Sequence, residues 1–127
     1  MTALRFYLSV AAGSALGAGA RYAITLAAAA MIGSAFWLAT LGVNLAGAAL
    51  MTAYSTRAAQ SPGGALARWH AFWTTGFCGG FTTFSLFSVD AVVLWQRGQP
   101  GLALGYVAAS VAGWLAAARL GQRLARS

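Results

Sequence analysis

Gly76-Phe77-Cys78-Gly79-Gly80-Phe81-Thr82-Thr83-Phe84-Ser85-Leu86-Phe87-Ser88 lies inside a long apolar segment, where a continuous helix is the simple expectation. Paired glycines and paired threonines are poor choices for a helix interior that only has to be apolar. Gly79-Gly80 lets the backbone leave helical geometry. Within a bilayer such a departure is tolerated only where the freed carbonyls are buried in protein, face water or bind an ion. Thr82, Thr83, Ser85 and Ser88 add hydroxyls, and Phe84 and Phe87 share a face at i, i+3. The segment reads as a helix broken at a functional point. The competing reading is a tight helix crossing whose hydroxyls bond back to their own carbonyls.

The rest of the chain supplies the setting. Of 127 residues, 60 % are apolar and 7 % charged, and the mean hydropathy is +0.71. A soluble domain carries about 25 % charged residues, so this chain cannot cover a water-facing surface. A membrane span takes about 20 mostly apolar residues. The length therefore predicts one all-α membrane domain of four spans, with no cleavable signal sequence expected. The spans are placed at Leu4 to Ala29, Ala35 to Thr56, Ala67 to Trp95 and Leu102 to Leu120. Pro62-Gly63-Gly64 and Gly98-Gln99-Pro100-Gly101 mark two connections. The third is placed near Met31-Ile32-Gly33-Ser34. Both prolines fall in connections, so the break in span 3 is assigned to Gly79-Gly80.

The net charge of +7 arises from arginines against one acid, Asp90. On a soluble protein that balance would point to nucleic acid. Here the arginines cluster at span ends, so the charge reads as membrane topology and no nucleic-acid partner is expected. Anionic lipid head groups and a transported anion are the partners it implies. The lone Cys78 excludes an intrachain disulfide and reads as a small buried side chain. Small residues recur every four positions in span 4, from Gly105 through Ala109, Gly113 and Ala117 to Gly121, and Gly13 and Gly17 do so in span 1. Such rows let helix backbones touch, and the span 4 row suggests a packing seam, either within the chain or across a subunit interface.

Few polar residues lie inside the spans. Asn44 sits mid-span in Gly42-Val43-Asn44-Leu45-Ala46-Gly47, where it either joins two helices or donates to a passing ion. Tyr106 and Ser110 share a face of span 4, as an interhelical pair or as pathway donors. Arg21 is a functional candidate by default. The slightly favoured alternative has span 1 ending early, with Arg21 snorkelling from its end. Asp90 is the one possible proton carrier, or else the partner of an arginine near the end of span 3. His70 and Trp69 read as interfacial anchors. No second acid, nucleophile set, metal-ligand cluster or phosphate loop supports an enzyme.

The Gly76–Ser88 segment resembles the third-span signature of the CrcB/Fluc fluoride channels, and the resemblance runs along the chain. Gly13 through Tyr22 resembles the family's first-span pattern. Thr40-Leu41-Gly42-Val43-Asn44-Leu45-Ala46-Gly47 resembles its second, and Gly105-Tyr106 through Ser110 and Gly113 its fourth. The resemblance implies an antiparallel dimer with two narrow pathways that export fluoride passively across a bacterial inner membrane. It implies that Phe84 and Phe87 line the pathway with electropositive ring edges. Asn44, Tyr106, Ser110, Thr83 and Ser85 would be its polar residues. A structural sodium ion would sit at the dimer centre on the main-chain carbonyls of Gly79 and Thr82. Arg21 would be a conduction-related or structural arginine. Two positions depart from the family pattern: Leu86 stands where a small hydroxyl residue is common, and Asp90 where glutamate is frequent. Two further readings remain. Small proton-coupled multidrug exporters share the four-span size but need a glutamate in span 1, which is absent. A non-transporting accessory subunit is the other.

The charge flanks pull against a dual-topology homodimer. Arg5, Arg57, Arg68, Arg119, Arg123 and Arg126 fall on or near one side and Arg97 on the other. The positive-inside rule then expects both termini in the cytoplasm, and an oppositely oriented homologue as the natural partner.

Overall fold

Thr2 opens the first helix by accepting a hydrogen bond from the Arg5 backbone N–H on its hydroxyl, as a helix N-cap should. The computed structural model describes residues 2–127. Helix α1 (Ala3–Ile32) is followed by a 3-10 turn (Gly33–Ala35) and α2 (Trp37–Gln60). A short α3 (Ala65–Arg68) leads into the third span. That span comprises a π-helical stretch (Ala71–Cys78), one helical turn α4 (Gly79–Phe81) and α5 (Ser85–Gln96). The last span is α6 (Pro100–Arg126). Four segments are long and apolar enough to cross a membrane: Ala3–Ala35, Trp37–Gln60, Ala71–Gln96 and Pro100–Arg126.

Glycines with positive φ turn the chain at two of its three reversals. Gly33 (φ +46°) and Gly98 (φ +77°) take backbone conformations that side chains resist. At the second, the Gln99 N–H reaches back to the Leu94 carbonyl at 3.0 Å, and Pro100 starts α6. Arg97 at this turn lies over the Phe36 ring, 5.2 Å from its centroid. The span 1–2 and span 3–4 connections therefore share one end of the molecule. At the other end Arg5 and Arg68 line one surface cleft, and the Gln60 side chain reaches the Ala125 carbonyl.

Helices α1 and the π-helical stretch pack backbone to backbone. A Cβ on Gly13 would stand 2.3 Å from the Phe72 carbonyl oxygen, and one on Gly17 2.1 Å from that of Phe77. These positions have no room for a side chain, which explains why the small-residue row exists there.

The span 4 row forms a packing seam within the chain over part of its length. A Cβ on Gly121 would stand 2.1 Å from the Ala49 carbonyl oxygen, and one on Gly113 2.8 Å from Leu45 Cδ2. Both face α2 of the same chain, whereas Gly105 has open space. Gly113 and Gly121 thus belong to a seam within the chain, where α2 and α6 run parallel in close approach.

The interior is small. Phe87, Leu94, Ala103 and Tyr106 form its buried centre, flanked by Phe36, Trp37, Leu41 and Trp114. The outer surface is apolar, with Leu16, Tyr22, Phe84 and Leu115 among many exposed hydrophobic side chains. Such a surface is stable only against lipid or a partner chain.

Candidate functional site

The third span opens at Thr82, two residues after the glycines to which the sequence assigned the break. Gly79 is helical (φ −62°, ψ −39°), whereas Thr82 is extended (φ −83°, ψ 159°). Gly80 serves packing: a Cβ there would stand 2.3 Å from the Ser14 carbonyl oxygen. The cause of the opening lies on another helix. The Thr83 N–H donates to Asn44 Oδ1 at 2.8 Å, and Asn44 Nδ2 donates to the Thr83 carbonyl at 2.8 Å. The buried asparagine amide thus pairs with both backbone groups of Thr83, as a neighbouring strand would. One hydrogen of its NH2 group remains for another acceptor.

This clamp redirects the helix's own bonds. In a regular helix the Thr83 N–H would bond the Gly79 carbonyl, and the Leu86 N–H would bond that of Thr82. The first goes to Asn44 and the second to Thr83 Oγ1 at 3.1 Å. The carbonyls from Gly79 to Thr82 all lose their regular helical donors at the break, those of Gly79 and Thr82 among them, and oxygen donors of that kind fit a hard cation. The neighbouring Gly80 carbonyl has its own partner, accepting from Arg21 Nε at 3.3 Å. Helix α1 continues to Ile32, so Arg21 lies mid-helix and half-buried rather than snorkelling from a helix end.

The hydroxyls divide. Thr82 Oγ1 donates to the Cys78 carbonyl and Ser88 Oγ to that of Phe84, both at 2.9 Å. Those two follow the local reading. Thr83 caps the start of α5, and Ser85 Oγ lies 3.3 Å from Thr83 Oγ1.

Aromatic rings continue the site across the break. The Phe84 and Phe87 centroids are 5.3 Å apart. Phe87 meets Trp114 edge-on at 4.8 Å and Tyr106 at 5.4 Å. The two phenylalanines differ in burial, Phe87 being 5 % exposed and Phe84 70 %. Behind Phe87, the Tyr106 hydroxyl donates to Asp90 Oδ2 at 3.3 Å. Asp90 is buried, with Thr40 also beside its carboxyl. Its partner is thus a tyrosine, not the arginine weighed from sequence. Ser110 is fully buried, and its hydroxyl has no hydrogen-bond partner. A cleft of about 260 Å³ opens beside the break, lined by Asn44, Gly47, Thr82, Thr83, Phe84 and Trp114 among others.

The family model for the CrcB-like proteins, described as "Camphor Resistance (CrcB)", matches residues 8–122. This chain belongs to the CrcB family. Its CrcB relatives include a protein of Cereibacter sphaeroides, 46 % identical over 82 % of this chain and 81 % of the relative. One of Paracoccus denitrificans is 43 % identical over 94 % of both chains. One of Chelativorans is 43 % identical over 93 % of this chain and 94 % of the relative. All three are named "Fluoride-specific ion channel FluC".

The structure brings Asn44, Thr83, Phe84, Phe87 and Tyr106 into one continuous region of this CrcB chain, with Arg21 at the back of the break. It also adds residues that the sequence reading passed over. Trp114 touches both phenylalanines, and Thr40 lies at Asp90. Each was signalled by helical spacing: Trp114 lies four residues beyond Ser110, and Thr40 four before Asn44. His70, read as an interfacial anchor, lies 3.3 Å from Ser55 Oγ and 3.2 Å from Thr74 Oγ1, joining spans 2 and 3.

Proposed function

We propose that this chain is a fluoride-specific channel, a non-enzyme that lets fluoride leave the bacterial cytoplasm passively through a multi-pass membrane protein. What carries the reading is a near full-length likeness to proteins named for that activity, on a chain whose one acid is already bonded to a tyrosine. A small proton-coupled exporter needs a glutamate in its first span, and α1 carries no acid. An accessory subunit would have no need of a span opened at Thr82 beside paired phenylalanines.

The pathway in this reading follows Asn44, Thr83, Ser85, Phe84, Phe87, Tyr106 and Ser110. The spare Asn44 N–H and the electropositive ring edges give a dehydrated anion neutral donors. They hold it weakly enough to let it go. A structural sodium ion on the Gly79 and Thr82 carbonyls suits groups whose regular donors are diverted. A second subunit, inverted relative to the first, would cover the exposed Phe84 and complete the pathway.

Liposomes loaded with fluoride, with no pH gradient, are expected to release it once a potassium ionophore compensates the charge. A fluoride electrode reads the efflux. Release only under a proton gradient would overturn the passive reading.

The partner's identity follows from charge. The termini and the span 2–3 connection lie at one end, where Arg5 and Arg68 share a cleft, while Arg97 lies at the other beside Phe36. Both termini are expected in the cytoplasm, with an oppositely oriented homologue as partner. A cysteine added at the C-terminus should then be labelled from the cytoplasmic side alone. Equal labelling from both sides of intact cells would restore a homodimer of dual topology.

A further inference from the structure

Among the described residues, Ser110 Oγ and Trp114 Nε1 are the buried side-chain polar atoms that have no hydrogen-bond partner. They stand one turn apart on α6, on the face that also carries Tyr106. A buried indole N–H ordinarily finds an acceptor. Leaving it without one is costly, and hydrocarbon supplies no water to help.

Packing does not account for the choice of residue. Trp114 meets Phe87 edge-on at 4.8 Å and Phe84 at 6.4 Å, contacts that call for an aromatic ring but not for an N–H. What tryptophan adds is the N–H. That group donates and cannot accept, so its missing partner must be an acceptor. The same side chain lines the cleft of Asn44, Thr83 and Phe84, with Tyr106 on the far side of Phe87. A donor without a partner, on a side chain that lines this cleft, fits a transient acceptor better than a permanent one.

We propose that Trp114 is a further anion-contacting residue of the pathway, its indole N–H meeting the anion next to the Ser110 hydroxyl. The proposal rests on the fluoride-channel reading and extends the donor row by one helical turn. The indole is neutral, so it stabilises a water-stripped anion without holding it as a fixed cation would. The N–H, being donor-only, offers nothing to a cation.

Trp114→Phe keeps a ring and removes the donor. Its fluoride efflux from liposomes is expected to fall about tenfold or more, the scale of one lost hydrogen bond to a charged group. Gel filtration should show wild-type assembly. The second readout is the nitrogen-15 indole spectrum of the wild-type protein in nanodiscs. Of its five tryptophans, the one whose signal vanishes in Trp114→Phe should shift with sodium fluoride and stay still with sodium chloride. If that variant fails to assemble, single Phe replacements at the other four tryptophans assign the signal by elimination, and the wild-type titration decides. Wild-type flux in Trp114→Phe, or a Trp114 indole signal that ignores fluoride, would overturn the proposal. Lowered flux with an unmoved signal would also do so, since the residue then acts by packing. Wild-type liposomes that release no fluoride would instead remove the channel reading on which it rests.

Discussion

Replacing Asn44 with leucine is expected to reduce fluoride efflux by about a hundredfold or more, equivalent to roughly 2.7 kcal/mol on the barrier. The two side chains have the same number of heavy atoms in the same branched arrangement, so leucine is the apolar replacement nearest in shape. The loss is the pair of 2.8 Å bonds to the Thr83 backbone. A buried amide group left unpaired costs about 1–3 kcal/mol, and both backbone groups of Thr83 are affected. The chain has a local remedy. The freed Thr83 N–H can return to the Gly79 carbonyl and rewind the helix through Thr82. That rewinding would withdraw a carbonyl from the proposed cation site and turn Phe84 away from its present place. Efflux and gel filtration on the same preparation check this: a protein that elutes as the wild type does but conducts poorly is the expected result. An Asn44→Leu protein conducting at the wild-type rate would show that the clamp is dispensable.

The clamp also marks where sequence reasoning stops. Span number, the polar residues and the unusual third span were legible because hydropathy and glycine placement are local signals. The position of the break was not. Gly79-Gly80 has the right composition for an opening, but Gly80 is glycine because the Ser14 backbone lies against it. The opening is set by Asn44, an amide on another helix, and no local rule joins it to Thr83. The span 4 glycines carry the same lesson. Their spacing announces close approach, but not whether the neighbour is α2 or another subunit. Trp114 was overlooked for a different reason. In a membrane protein a tryptophan reads first as apolar mass, and its donor matters only once every acceptor around it is accounted for.

The two phenylalanines are expected to separate when each is cut to alanine. Phe87 is 5 % exposed and is ringed by Phe84, Tyr106 and Trp114. Its removal opens a cavity, and Phe→Ala in protein cores costs about 3–5 kcal/mol. Phe87→Ala should therefore lower both the thermal stability of the solubilised protein and its flux. Phe84 is 70 % exposed on the subunit, so Phe84→Ala should leave the subunit's fold intact. Its flux should nevertheless fall about tenfold or more, the effect of losing an ion contact of about 1.4 kcal/mol at the barrier. Phe84→Leu then separates two meanings of that loss. Leucine restores apolar bulk but has no electropositive ring edge. If the edge contacts the anion, Phe84→Leu conducts as poorly as Phe84→Ala. If Phe84 only fills space between subunits, leucine restores the flux, and the contact with the anion must be sought at Phe87 and α6.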